Sequence, residues 1–350
     1  MHSIASGGWD IADLKKLNRA TERDWDMPLR QTSSVAGYHW QLLHAGPILL
    51  DGGGMFGLIP HVVWTKVIPP DDRNRIKLAH NCLLLERDAK PILIETGSGN
   101  KFGPKMRKIF GLSDQWVADA LRQAGCLPEA VEHVIVTHLH FDHAGGLTRA
   151  ALADEAPAWV RPADGSDDAS RVVRTFPRAR IIVQRREWED ALANRSVMTR
   201  TYFRDNLEPI REQLTLIESP LPFLPGHIPD RGDLPATTVG QRETEVLPGV
   251  FVFRTPGHTW GQQAVRFIDE EGRNIVYVPD VMPSIYHLGP TYNLAYDVEP
   301  YTSMCSRRWL LEEAVINDWL LVLNHEPGNP LQRVRRDGKG WYLLVPEAVP

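Results

Sequence analysis

Cysteine is scarce: Cys82, Cys126 and Cys305 are the only three in 350 residues, an odd number, widely spaced and without a C-x-x-C pair. That argues against a disulfide framework, and reduced thiols in a cytoplasmic protein are the expectation. Long apolar runs are also missing. No stretch approaches the roughly 18 apolar residues of a spanning helix. The opening MHSIASGGWDIADLKK has no charged region followed by an apolar core, so neither export nor membrane insertion is expected. Positive charge is not in excess either. Lys and Arg number 39 against 44 Asp and Glu, a formal net charge of -5, which provides no basic field for nucleic acid. Gly52, Gly53 and Gly54 have no Gly-Lys-Ser/Thr after them, which excludes a P-loop. What remains, 43% hydrophobic and 24% charged, is ordinary globular composition without a signature of disorder.

Histidine is what stands out, and it is concentrated in THLHFDHAGG, Thr137 to Gly146. The β-branched run Val134, Ile135 and Val136 reads as a short buried strand feeding that stretch. His138 and His140 are two apart, so in extended backbone both side chains leave on one side and can close on one ion. Asp142 and His143 follow in a turn, where neighbours point different ways, which suits a second ion beside the first. Gly145 and Gly146 permit a tight bend and close approach as a helix begins. Imidazoles and a carboxylate at this spacing suit zinc, with Fe, Mn or Co as alternatives.

Along the chain, residues 1–34 read as an N-terminal arm with a helix near 11–21, placed on the surface or on a partner subunit. A homodimer is compatible with that arm. Residues 35–350 read as one domain. Strands are expected through Leu43, near Ile48–Leu50, at His80–Leu85, Pro91–Ile94, Ile181–Val183, Val250–Arg254, Gln263–Phe267, Asn274–Val278 and Leu320–Leu323. Helices are expected at Pro104–Ile109, Ser113–Ala124, Arg186–Ala193, Thr201–Gln213 and Thr302–Asp318. Pro220 to Pro235 reads as an irregular loop, and Asp337 to Gly340 as the turn of a last hairpin. Strands and helices recur in two similar successions, which suits an α/β chain of two packed halves forming one αββα sandwich of two mixed β-sheets flanked by helices. In the LDGGGMFGLIPHVVW segment, Met55 and Phe56 either drop into the core or tip a loop over a cleft; with Leu58 and Trp64 they suggest an apolar pocket entrance.

Further ligand types stand at strand ends. His258 follows Phe251–Phe253 in TPGHTWGQ, Asp280 ends VYVPD, and His325 ends LVLNH. His287, a few residues beyond Asp280, could donate a hydrogen bond to a developing oxyanion.

The HLHFDH stretch resembles the first metal motif of the metallo-β-lactamase superfamily, HxHxDH, at every fixed position, and the three later residues match its later metal positions in order. The likeness runs from about Tyr38 to Pro327. The resemblance implies an αββα metallohydrolase in which His138, His140 and His258 hold one metal, Asp142, His143 and His325 the other, and Asp280 bridges both. Within the superfamily the chain looks closest to the lactonase-like hydrolases, through Gly54 to Gly57 and through Phe176 to Arg180 with Gln184, Arg185, Glu187, Trp188 and Glu189. Acyl-homoserine lactonases and methyl parathion hydrolase resemble this group. Two departures stand out. Glu95 replaces the usual Asp before Thr-Gly, one methylene longer, in the support behind the metal loop. Pro283 stands where the lactonases carry a catalytic tyrosine, leaving Tyr286, Tyr292 or Tyr296 as substitutes.

The expected chemistry is hydrolysis of a small-molecule lactone or carboxylic ester by a hydroxide bridging two divalent metal ions. Asp142 would pass a proton to the leaving oxygen, Tyr286 or His287 would hold the oxyanion, and Met55, Phe56 and Tyr292 would contact substrate. Phosphotriester hydrolysis at the same centre is the alternative, and an iron-loaded redox enzyme a more distant one.

Overall fold

Residues 82–85, Cys-Leu-Leu-Leu, have no charged side chain, yet they are not equivalent. In an extended strand alternate residues face opposite sides. Leu83 and Leu85 enter one buried cluster while Cys82 and Leu84 enter another. A strand apolar on both faces must be covered on both, and the same pattern recurs in the C-terminal half, where Ile275 and Tyr277 face one cluster and Val276 and Val278 another.

The computed structural model describes residues 37–163, 165–195, 201–223 and 237–348. The expected arm at 1–34, its helix, and most of the 220–235 loop lie outside the described residues. A six-stranded sheet runs in the order His39–Asp51, Arg75–Arg87, Lys90–Ile94, His133–Ile135, Arg180–Gln184 and Leu214–Ile217. A seven-stranded sheet takes Thr244–Leu247, Val250–Arg254, Gln263–Ile268, Asn274–Val278, Leu320–Leu323, Leu331–Arg336 and Tyr342–Pro346. Both are mixed: the first is parallel from Lys90–Ile94 onward, the second only between Asn274–Val278 and Leu320–Leu323. Leu83, Leu85, Ile94 and Ile135 of the first sheet meet Val252, Val265, Phe267 and Tyr277 of the second in the central layer. Helices Val117–Gln123 and Arg185–Leu192 cover the first sheet's outer face through Val117, Leu121 and Trp188, and helix Pro300–Ile316 covers the second through Trp309, Leu310 and Ala314. This is the expected αββα sandwich, and each fully buried aliphatic chain in it contributes roughly 1.5–3 kcal/mol.

Several local expectations are corrected. The two early strands are one, His39–Asp51, which absorbs a register shift between His44 and Pro47 where Gly46 adopts a φ of 98°. The helix expected from Ser113 begins after Trp116, because the Ser113 hydroxyl bonds the Gln115 carbonyl rather than capping. The long helix expected at Thr201–Gln213 is a single turn, Arg204–Leu207, continued as 3-10 helix over Glu208–Gln213. Pro209 lacks the N–H an α-helix needs there. A three-stranded sheet of Thr148–Ala150, Arg171–Arg174 and Trp159–Val160, not among the expected strands, brackets residues 161–170. Its strands are too short to carry a period.

Among the described residues no helix is long and apolar enough to cross a membrane.

Candidate metal centre

All seven ligand-type side chains expected from the sequence are buried and meet at one end of the sandwich. The His133–Ile135 strand delivers the loop that holds His138 and His140, and a short helix, Phe141–Ala144, turns Asp142 and His143 inward. Gly145 and Gly146 lie so close to the 95–99 loop that a Cβ on either would strike the carbonyl of Ser98 or Thr96. His258 follows the Val250–Arg254 strand, Asp280 the Asn274–Val278 strand and His325 the Leu320–Leu323 strand.

Ligand atoms within 4.8 Å of one another form three groups: His138, His140 and His258; Asp142, His143 and His325; and His138, His143 and Asp280. The Asp280 carboxylate is central. Its Oδ2 lies 3.4 Å from His258 Nε2, and its Oδ1 lies 3.5 Å from His143 Nε2 and 3.4 Å from His325 Nε2. His140 Nδ1 faces His258 Nε2 at 3.0 Å, and His143 Nε2 faces His325 Nε2 at 3.3 Å. The Nε2 atoms of His138 and His140 are buried without a hydrogen-bond partner. Imidazole nitrogens turned toward one another, with His138 Nε2 unpartnered among them, around carboxylates in a buried pocket fit a donor set for divalent cations.

The opposite edge of most rings is held. His258 Nδ1 pairs with Asp297 Oδ1 at 2.9 Å, His325 Nδ1 with the Ala79 carbonyl at 2.8 Å, His143 Nδ1 with Glu95 Oε2 at 3.1 Å, and His138 Nδ1 with Thr137 Oγ1 at 3.1 Å. Asn324 donates to Asp280 Oδ1 at 2.6 Å. Such partners choose the tautomer and aim the free nitrogen. Glu95 does two jobs, since its Oε1 also accepts from the Thr137 N–H at 2.5 Å. Its φ of 71° is left-handed, which costs a non-glycine residue about 1–2 kcal/mol, offset by those two bonds.

The charges are strongly coupled. Burial and the neighbouring imidazoles push His138 and His140 well below the usual histidine value. Burial opposes charge on His143 as well, but the Asp280, Asp142 and Glu95 carboxylates overcome it and hold that imidazole well above. Burial also disfavours the Asp280 anion, yet His143, His325 and His258 bring it well below the carboxylate range. The centre thus holds carboxylate and positive charge together, and an ion that binds there takes the place of the His143 proton.

The residues expected to assist catalysis are rearranged. His287 is fully buried, with Nε2 on the Met55 carbonyl at 2.8 Å, Nδ1 on Ser284 Oγ at 2.8 Å and its ring stacked on Phe56 at 5.2 Å. Both nitrogens are used, so it fastens a loop and cannot face an oxyanion. Met55 and Phe56 are core residues packed with Ile48, Trp64 and Ile76, which corrects the reading of them, and of Trp64, as a pocket entrance; Leu58 is exposed. Packing wins because helix Gly52–Phe56 turns both side chains inward. Tyr286 and Tyr292 are half-buried against the same cluster. Tyr296 packs on that cluster too. Its ring lies directly over Gly54, where any Cβ would strike the phenol, and it directly precedes Asp297, the partner of His258. Burial, then Asp51, Asp142 and Asp280, raise its phenol and keep it protonated. Asp297 and Asn324 are not singled out as site residues by the sequence, because a lone acid or amide in a loop carries no spacing signal, and Glu187 enters there only as one residue of the lactonase-like stretch.

A groove of about 580 Å³ lined by His44, Lys77, Gln115 and Gln123 among others lies apart, with none of the seven residues in its wall.

The family description "Metallo-beta-lactamase superfamily" matches residues 75–278. The N-acyl homoserine lactonase AiiA of Bacillus thuringiensis subsp. kurstaki is 27% identical over 215 residues, covering 57% of this chain and 62% of the relative. An N-acyl homoserine lactonase of Bacillus cereus is 29% identical over 219 residues, covering 58% and 63%. The chain therefore spans less than two thirds of the length of these relatives. Among solved structures, a probable metal-dependent hydrolase from Staphylococcus aureus superposes with a TM-score of 0.68 at 23% identity, covering 91% of this chain and all (100%) of that one. The dizinc quorum-quenching lactonase AidC superposes with a TM-score of 0.62 at 18% identity, covering 90% and 99%. These likenesses concern the fold.

Proposed function

Since the chain belongs to the metallo-beta-lactamase superfamily, we propose that it is a dinuclear metal-dependent hydrolase acting on a lactone or carboxylic ester with an apolar acyl group. The observation that carries this reading is the convergence of five imidazoles and two carboxylates in one buried cluster. His138, His140 and His258 would hold one ion, Asp142, His143 and His325 the other, and Asp280 both. Zinc is the ion this nitrogen and oxygen donor set favours. When bound, two divalent ions supply hydroxide near neutrality and polarise an incoming carbonyl.

The chain's own residues do the rest. Asp142 belongs to the cluster and would carry a proton to the leaving oxygen. The Tyr296 phenol, kept protonated and within electrostatic reach of Asp142 and Asp280, would serve as the oxyanion partner, a role that Pro283 cannot fill and His287 has given up. Phe141, in the middle of the metal loop, is half-buried with Phe102, Phe110 and Phe203 in edge and tilted contacts at 4.8–5.9 Å. An aromatic wall beside the loop suits an acyl chain. Two of the similar lactonases are known with N-hexanoyl-L-homoserine bound as product.

The test is zinc loading of the full chain followed by parallel rates on an N-acyl homoserine lactone, an aryl ester and a phosphotriester. About two equivalents of zinc and fastest turnover on a lactone or ester are expected, with Tyr296→Phe lowering kcat roughly 10²-fold at unchanged metal content. Preference for the phosphotriester would move the substrate class to phosphorus. Absence of turnover on all three by the loaded chain would overturn the hydrolase reading.

A further inference from the structure

We propose that Glu187 is a positioning residue that sets the separation of the two loops carrying the first-ion imidazoles, His138 and His140 on one and His258 on the other. The inference rests on the metal reading above.

Glu187 lies in the first turn of helix Arg185–Leu192, far from the ligands in sequence, and is completely buried. Its Oε1 accepts from the Leu139 N–H at 2.9 Å, the peptide between His138 and His140. Its Oε2 accepts from Thr259 Oγ1 at 2.6 Å, the residue that follows His258. One rigid carboxylate therefore spans both loops. The Tyr202 hydroxyl donates to Oε1 at 3.1 Å, and the Tyr202 ring lies 5.0 Å from the His140 ring, so the same group also backs an imidazole.

The helix cannot drift away from this position. Gly261, three residues beyond His258, packs so closely on the helix that a Cβ there would strike the Glu187 backbone. Burying a carboxylate is costly unless donors surround it, and here three do. Hydrogen bonds to a backbone N–H and to a neighbouring hydroxyl hold the loops rather than the ligand atoms. Glu187 touches no ligand atom of the centre, so its effect on an ion would pass through the spacing of His138, His140 and His258.

The test is zinc competition against a chromophoric chelator on the full chain, with far-UV circular dichroism and thermal melting of each variant. Glu187→Ala is expected to weaken one zinc equivalent about 10- to 100-fold and leave the other near its wild-type affinity. Glu187→Gln is expected to restore binding, because its amide oxygen can serve Leu139 and Tyr202 while its NH₂ donates to Thr259. Thr259→Val, which removes one arm only, should weaken the same equivalent less. A folded Glu187→Ala that binds both equivalents like the wild type overturns the proposal. If that variant fails to fold, wild-type binding by Thr259→Val does so instead. A wild-type chain that binds no zinc would remove the metal reading itself, whereas tight binding by wild type and Glu187→Ala alike removes only this inference.

Discussion

The two halves of the sandwich reach the same centre by different routes. The six-stranded half supplies four of the seven residues from one loop of six, His138 to His143, so their spacing is local. The seven-stranded half supplies His258, Asp280 and His325 from three separate strand ends, and their spacing is a property of the sheet. Val278 pairs with Leu323 across the parallel strands, which puts Asp280 and His325 at the same height, each two residues further on. A local loop can assemble ligands with little sheet around it. The second set exists only when distant strands are in register.

The halves also brace each other. Ala79 and Asn81, on the Arg75–Arg87 strand of the first sheet, hold the His325 loop of the second. Asn81 Nδ2 donates to the Leu323 carbonyl at 2.9 Å and to the Glu326 carbonyl at 2.8 Å. Tyr277 donates to the Asn81 carbonyl from the other side.

The sharpest way to break the comparison is at Asp280, which faces imidazoles of both halves. Asp280→Ala should weaken both zinc equivalents by more than about 100-fold, beyond what outer partners contribute, as read by chelator competition. Loss of only one equivalent would show that Asp280 does not serve both ions. Next in size is the cross-brace. Asn81→Ala should weaken the equivalent held with His325 roughly 10-fold, and Glu95→Asp should do the same through His143, so damage that reaches a ligand of either half lands on the same ion. If the two variants affect different equivalents, the grouping of His143 with His325 is wrong.

The smallest effect is on stability and acid response rather than on metal. Burial first, then Arg307, hold His287 at about 3, with the Met55 carbonyl acting in the opposite sense. The native imidazole stays neutral as pH falls from its ordinary 6.5, while the unfolded chain takes up a proton, so stability contributed by His287 is present above 6.5 and is lost toward 3. The slope is at most about 1.4 kcal/mol per pH unit. His287→Leu should cost about 1–3 kcal/mol at neutral pH by leaving the Met55 carbonyl unpaired, and should flatten the acid limb of a denaturation series. An unchanged acid limb would mean that the imidazole is accessible to protons in the fold.

Much of this was legible before any coordinates. The HLHFDH run declares itself because its ligand types sit at spacings that one turn of backbone can satisfy, and strand ends at His258, Asp280 and His325 are visible as apolar runs stopping at polar residues. The catalytic helpers were not. Nothing in Ser-Ile-Tyr-His tells whether His287 turns toward substrate or toward the Met55 carbonyl, and the choice is made by a helix more than two hundred residues away in sequence. Tyr286, Tyr292 and Tyr296 likewise differ only in what lies opposite them, and a glycine at position 54 is what leaves room for the third.

By itself the order of residues determined the class of this protein: the superfamily motif, the layered α/β pattern and the gathering of ligand types in one loop. These depend on periodicity and short-range spacing, which a linear chain carries intact. Tertiary structure alone decided which acids and amides steer the ligand rings, why Met55 and Phe56 are core, and that Glu187 joins two loops. Those facts depend on which strands lie side by side, and contacts across a sandwich leave no local trace in the chain that makes them.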